Sequence, residues 1–256
     1  MGRRVDGVRN HMKNLLISLG LGALISVLFS ASSLLTPGES ALPGVMVAIV
    51  AFFVLARKTM KLLEGTFAVV TKELQARPPR TANALKVLED ARGAAKAQFG
   101  LSSQLDNQIG VIHFLQQDFN AAMPYLQRSL TFGHWMGGIM LAVIQYKKKN
   151  HDDMRKTLDA LERKGKKSGL YWSVRAYLLD QVGERDNAQQ VLAKGIEKVP
   201  EDTKLKDNLQ ALQNGKKMKM KSYNMQWYQL HLEKPPAMVQ QNPMQPRMSK
   251  AQRRGR

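Results

Sequence analysis

Five histidines are the chain's best candidates for proton transfer, and their placement does not support catalysis. His11, His113, His134, His151 and His231 are scattered with no metal-ligand spacing. No HExxH, phosphate-loop, GxSxG or paired-carboxylate pattern accompanies them. Cysteine is absent, which excludes disulfides, Cys-ligated zinc, iron–sulfur centres and thiol nucleophiles. Gly20-Leu21-Gly22 lies inside a long apolar run and lacks the preceding strand of a dinucleotide site. These residues imply no metal, no cofactor and no enzyme. The chemistry they leave is charge: 39 Lys and Arg stand against 20 Asp and Glu, for a formal net charge of +19. Such an excess attracts an anionic partner: nucleic acid, phospholipid or an acidic protein face.

The cations are clustered. Lys147-Lys148-Lys149 and Arg163, Lys164, Lys166, Lys167 bracket one expected helix. They read as solvated helix ends and do not obviously form one patch. Residues 216–256 form a basic, aromatic-containing tail. Lys216, Lys217, Lys219 and Lys221 precede Tyr223, Met225, Trp227, Tyr228, Leu230 and Leu232, and Arg253, Arg254 and Arg256 close the chain. Low hydrophobicity with high charge predicts disorder beyond about residue 239. The Tyr223–Leu232 stretch is too apolar for a free linker, so it either folds back on the preceding domain or awaits a partner. Basic residues beside aromatics can bind RNA. Near a bilayer, attraction to anionic headgroups is the simpler outcome. The Lys/Arg-rich ending also resembles the basic tails of membrane proteins that dock ribosomes, and that partner stays open.

The elements that position these groups begin with a basic segment, residues 1–13. Asn14 to Leu35 then carries no charge, and roughly 20 such residues span a hydrocarbon core. A polar turn, Thr36 to Ser40, leads into a shorter apolar run, Ala41 to Ala56, followed by Arg57, Lys58 and Lys61. Positive flanks around a weakly acidic turn predict a transmembrane hairpin, residues 14–56, with both ends in the cytoplasm. Two other readings stay open: the first run as a cleaved signal peptide, and the second as an interfacial or re-entrant segment. Ser18, Gly22, Ser26 and Ser30 make a small-residue ridge, expected to pack within the hairpin against Gly44 and Ala48 in preference to another chain.

Residues 57–100 connect the membrane to the next domain. Met60, Leu63, Phe67, Val70 and Leu74 form one apolar seam, suited to covering the first face of a helix stack. Pro78-Pro79 ends that helix. Thr81 is the expected N-cap of the next, which should reach about Gln98. Ala84, Leu88 and Ala91 on it allow a degenerate first repeat over residues 58–98.

A repeat follows. Gly110, Ala142 and Ala176 recur with steps of 32 and 34 residues, each followed twelve positions later by Ala122, Met154 and Ala188. Leu126, Leu158 and Leu192 lie four positions further on, and Pro200 closes the last unit. This spacing puts a small residue where two antiparallel helices cross and a leucine on the face that packs the next unit. The pattern resembles the tetratricopeptide repeat over residues 101–215. Pro124 is expected in the first turn of its helix, His113 stands at a usual aromatic position, and Leu205 to Leu212 supplies a capping helix. The chain is therefore expected to be all-α: a membrane hairpin, a tetratricopeptide-like α-solenoid and a basic, partly disordered tail.

The resemblance implies a concave groove lined by the first helices. Carried over by position, its face is Asn107, Val111, Phe114, Met136, Ile139, Val143, Tyr146, Ser173, Tyr177 and Asp180, with Lys147 at the edge. It lacks the lysines and asparagines that a clamp for a terminal carboxylate needs. Its apolar and aromatic character suits an amphipathic helix or an extended apolar peptide, or cover by the protein's own segments. The implied function is a membrane-anchored adaptor whose cytoplasmic repeats bind a protein or peptide partner. Relatives of this kind sit on bacterial inner membranes and assist envelope assembly or protein export. Some carry a cysteine-rich metal module, which this chain lacks. The alternative is a membrane tether that binds RNA, a ribosome or anionic lipid through its tail.

Overall fold

The computed structural model describes residues 13–32, 36, 38–96 and 100–236. All regular structure among them is helical.

Two apolar helices open it. Helix α1 is Lys13–Ala31 and α2 is Ala41–Gln75. They are antiparallel and in contact along their lengths. The small-residue ridge is what lets them approach. A Cβ on Gly22 would lie 2.5 Å from the Gly44 carbonyl oxygen and 2.8 Å from the Ala48 side chain. Ser18 is buried on the same side, so the ridge is consumed inside the hairpin. In the turn, the Glu39 carboxylate accepts from the Thr36 N–H at 3.0 Å and hydroxyl at 2.8 Å. At the open end, the Asn14 amide donates to Thr59 Oγ1 at 3.1 Å. The opposite faces point outward: Leu42, Met46 and Phe53 are 71%, 68% and 66% exposed. Both helices are long and apolar enough to cross a membrane, and no part of the described chain covers them.

Helix α2 does not stop where its apolar run does. Residues 41–56 and the segment after Arg57 are one helix, because Pro43 lies in its first turn and no proline follows until Pro78. In its second half, Leu63 and Val70 are buried while Phe67 and Leu74 are partly so. Met60, expected on the same seam, is instead 42% exposed.

That neighbour is α3, Thr81–Asp90, continued after a break by α4, Arg92–Ala95. Arg80 occupies the N-cap position expected for Thr81. The Thr81 hydroxyl instead accepts from Gln116 Nε2 at 2.6 Å. The expected end at Gln98 lies outside the described residues. Ala84, Leu88 and Ala91 are buried against α2 and α5, so residues 58–95 do form a first helix pair.

Three further pairs stack on it. They are α5, Leu101–Leu115, with α6, Phe119–Ser129; α7, Trp135–Lys147, with α8, His151–Gly165; and α9, Gly169–Gln181, with α10, Arg185–Lys198. Helix α11, Thr203–Gln213, caps the stack. Ala122, Ala142, Met154, Ala176 and Ala188 are fully buried, with Leu126, Leu158 and Leu192 beside them. Gly110 permits the α5–α6 crossing: a Cβ there would lie 2.7 Å from the Leu126 side chain. Side chains cap four of these helices, with His134 Nδ1 accepting from the Met136 N–H of α7 at 3.2 Å. Asp118, Asn150 and Asp202 accept from the N–H of Ala121, Asp153 and Lys204 at 3.1, 3.3 and 3.1 Å. Because Asp118 caps α6 at Phe119, Pro124 falls in its second turn instead of its first, where it removes one ladder bond. His113 stacks on Tyr125 with centroids 5.8 Å apart.

After Gly215, at φ +70°, the chain does not leave the stack. Residues 216–219 carry no regular structure, Met220–Tyr223 make one tight helical turn, and α12, Met225–Tyr228, follows.

Candidate binding groove

The inner face of α5, α7 and α9 is the expected groove, and the chain's own C-terminal segment lies in it. Met218, Met220, Tyr223, Trp227, Tyr228 and Leu230 belong to the same buried cluster as Phe114, Ile139, Val143 and Tyr177. Their neighbours Lys216, Lys217, Lys219 and Lys221 face solvent. Met218 and Met220 are buried between exposed lysines. The groove face is thus covered by residues 218–232. Arg253, Arg254 and Arg256 lie outside the described residues.

Aromatic rings make the central contact. Tyr177 and Trp227 meet edge to face with centroids 4.8 Å apart, a favoured geometry for two π systems. Burial, then the nearby Glu233, Tyr146 and Asp180, push the Tyr177 hydroxyl up to about 12, so it remains a neutral donor. Tyr146 packs beside His151, and Val111 and Met136 are partly buried against the same core.

A polar relay fixes the other end. Asn208 Nδ2 donates to Ser173 Oγ at 3.4 Å, and Tyr223 donates to Asp202 Oδ2 at 3.2 Å. Ser173 and Tyr223 lie 2.9 Å apart. Since the Tyr223 proton is committed to the carboxylate, Ser173 is the donor between them. Asn208 Oδ1 accepts from the Lys219 N–H at 2.7 Å, which pins the backbone there. Arg185 holds the start of the segment through the carbonyls of Leu212 and Lys216, at 3.2 and 2.8 Å. The Lys204 ammonium lies 4.6 Å from the Tyr223 ring centre. Burial, ahead of Asp202, raises the Tyr223 hydroxyl well above the usual tyrosine range.

At the far end, Lys147 Nζ donates to the His231 carbonyl at 2.8 Å. Desolvation lowers its affinity for the proton. The His231 ring packs 5.5 Å from Phe114 and 6.2 Å from Phe119. Burial, and then the charge of Lys147, hold His231 below the usual histidine value.

Not every expected position faces the occupant. Asn107 is buried as an internal brace, donating at 3.3 Å to Ser129 Oγ and to the His134 carbonyl. Asp180 lies 3.8 Å from Arg185 at the rim. The sequence reading missed Asn208, Asp202, Arg185 and Lys204. Asn208 did leave a signal, since it interrupts the apolar stripe Leu205 and Leu212 of α11. The buried atoms that find no hydrogen-bond partner among the described residues include Trp227 Nε1, His231 Nε2 and Glu233 Oε2 of the segment and Gln145 Oε1 of α7.

The His231 environment sets a pH dependence. A histidine depressed in the docked state binds its proton more readily when released, so docking is strongest above the usual histidine range and weakens as pH falls through it. Amide exchange over residues 216–232, corrected for its intrinsic pH dependence, should accelerate between about pH 7.5 and about pH 5.5. His231→Asn should remove that excess.

Comparison with protein-family models, with curated proteins and with solved structures gave no match.

Proposed function

We propose that this protein is a membrane-anchored adaptor. Its hairpin sits in a bilayer, its helix pairs are of the tetratricopeptide type, and its concave face binds an apolar polypeptide segment of a partner protein. One observation carries the reading. The groove already holds a linear segment, through methionine, tyrosine and tryptophan side chains and a short polar relay. A surface that binds such a segment in cis has the chemistry to bind one in trans. The buried Trp227 Nε1, without a hydrogen-bond partner among the described residues, makes the resident segment an incomplete complement, since a buried polar group without a partner costs about 1–3 kcal/mol. A partner segment free of that cost gains the difference.

The basic flanks of the hairpin support a cytoplasmic repeat domain; on a bacterial inner membrane, envelope assembly or protein export is the process it would serve. Binding, not catalysis, is its task. A second reading rests on Lys216, Lys217, Lys219 and Lys221, which are exposed while the methionines between them are anchored. A row of cations displayed in this way suits RNA, a ribosome or anionic lipid.

A photo-crosslinker at Tyr177, introduced into the full chain in native membranes, separates the two. The adaptor reading expects an adduct to residues 216–232 and, beside it, a discrete intermolecular adduct. Tyr146→Ala with Tyr177→Ala should abolish capture by a crosslinker placed at Val111, while removal of residues 240–256 should weaken only salt-sensitive association. Capture lost on tail removal and indifferent to the tyrosines would make the tail the functional site.

A further inference from the structure

We propose that the inter-repeat turns at one end of the stack rest on the bilayer that holds the hairpin, and that they bind its anionic headgroups. This rests on the hairpin spanning that bilayer.

The argument begins with α2, which continues without interruption from the apolar run into the first helix pair. Its direction fixes which end of the stack lies near the membrane. From Arg57 the helix climbs about 27 Å to Gln75. Helices α3 and α4 then descend beside it, and α4 touches α2 again. Leu63, about 9 Å beyond Arg57 along α2, shares one buried cluster with Ala95 of α4 and Leu101 of α5. The start of α5 therefore lies close to the bilayer surface.

Contacts tie the later turns to the start of α5. A Cβ on Gly100 would sit 3.7 Å from the Phe132 ring, and Ser103 Oγ donates to the Arg128 carbonyl at 3.4 Å. Lys164 Nζ donates to the carbonyls of Leu130 and Gly133 at 2.8 and 3.0 Å. The start of α5 and the turns 130–134 and 163–168 consequently form one row. The other row, which includes Lys147-Lys148-Lys149, is a helix length away at the opposite end of α8.

The near row has the composition of an interfacial surface. Turns 130–134 and 163–168 hold no Asp or Glu, while the next turn at the same end, 199–202, carries Glu201 and Asp202. Arg163, Lys166 and Lys167 are exposed, and Phe132 is 46% exposed. Lys164 differs, because its ammonium is spent on carbonyls and its affinity for the proton is lowered by burial and by Arg163. Cations that approach anionic lipid are held electrostatically, and an apolar ring beside them can enter the headgroup layer. The two lysine clusters therefore differ in role: the one after α8 meets lipid, and the one before it faces away.

Because the chain has no cysteine, single cysteines report cleanly. A donor dye at Thr131→Cys, on the near row, is compared with one at Asp152→Cys, on the far row. The full chain is reconstituted into phosphatidylcholine vesicles, with or without phosphatidylglycerol, carrying an acceptor on the headgroups. The Thr131 donor should be quenched several-fold more than the Asp152 donor. Phosphatidylglycerol should increase the quenching, and Arg163→Gln with Lys166→Gln and Lys167→Gln should return it to the level of phosphatidylcholine alone. Equal quenching at both positions, or quenching indifferent to phosphatidylglycerol and to the glutamines, overturns the inference. An alkaline wash of the same vesicles separates the premise: a chain that is released overturns the membrane reading and this one with it.

Discussion

Ala188→Arg is expected to unfold the third and fourth helix pairs and the groove with them. Ala188 is fully buried where α10 crosses α9, in the cluster that includes Ala176 and Leu192. Arginine there has two costs. Overpacking a dense core loses about 1–3 kcal/mol, and a buried charge without a partner loses a further ~3–5 kcal/mol. Against a total stability of about 5–15 kcal/mol, that sum removes most of the margin. Thermal melting of the full chain in detergent, followed by far-ultraviolet circular dichroism, should show an early transition absent from the parent. Gln190→Arg, two residues along on the exposed face of the same helix, should leave melting unchanged. Equal melting of Ala188→Arg and the parent would mean that the register of the repeats is misplaced.

That register was the most legible part of the chain, because the physical constraint repeats. A helix crossing tolerates only a small side chain, and Gly110, Ala142 and Ala176 meet that demand at nearly constant intervals. The hairpin ridge was legible for the same reason. Boundaries were harder. The charges Arg57 and Lys58 end the apolar run but do not break a helix, so α2 runs through them. Pro124 was placed by its tolerance for first turns, while the side chain of Asp118 started the helix earlier.

The groove was half legible. Helical periodicity tells which side of α5, α7 and α9 turns inward, and that side does carry Val143, Tyr146 and Tyr177. Periodicity does not distinguish a residue facing a cleft from one bracing a turn, and so Asn107 was assigned to the wrong task. The occupant was the least legible. Met218 and Met220 lie two positions apart, whereas Trp227, Tyr228 and Leu230 belong to a short helical turn and its exit. No single period runs through them, and only the shape of the groove brings them together. Asn208 and Asp202 looked like ordinary polar positions on a capping helix until the backbone of Lys219 and the hydroxyl of Tyr223 arrived beside them.

Trp227→Ala is expected to release residues 216–232 while leaving the stack folded. Trp227 is fully buried and forms the central aromatic contact with Tyr177. Its removal loses about 3–5 kcal/mol of packing, acting on a segment that is otherwise anchored by two methionines, Tyr223, Tyr228, Leu230 and a few hydrogen bonds. Trypsin should then cut rapidly after Lys219 and Lys221, which are already exposed but held in a docked backbone. Main-transition melting should shift little, since the helix pairs keep their own contacts. A synthetic peptide of residues 216–234 should bind the variant and protect Tyr177 from solvent, whereas the parent, with its groove filled, should bind it weakly. Tyr223→Phe should lie between the two, because it retains the ring and loses the hydrogen bonds to Ser173 and Asp202, worth about 1–3 kcal/mol for the groups left buried. Unchanged trypsin resistance in Trp227→Ala would show that the segment does not depend on the groove. A collapse of the whole melting transition would make residues 216–232 a structural layer of the stack, with no exchangeable occupant. Between those outcomes lies the one an adaptor requires: a segment bound tightly enough to close the groove, and loosely enough for a better-matched partner to displace it.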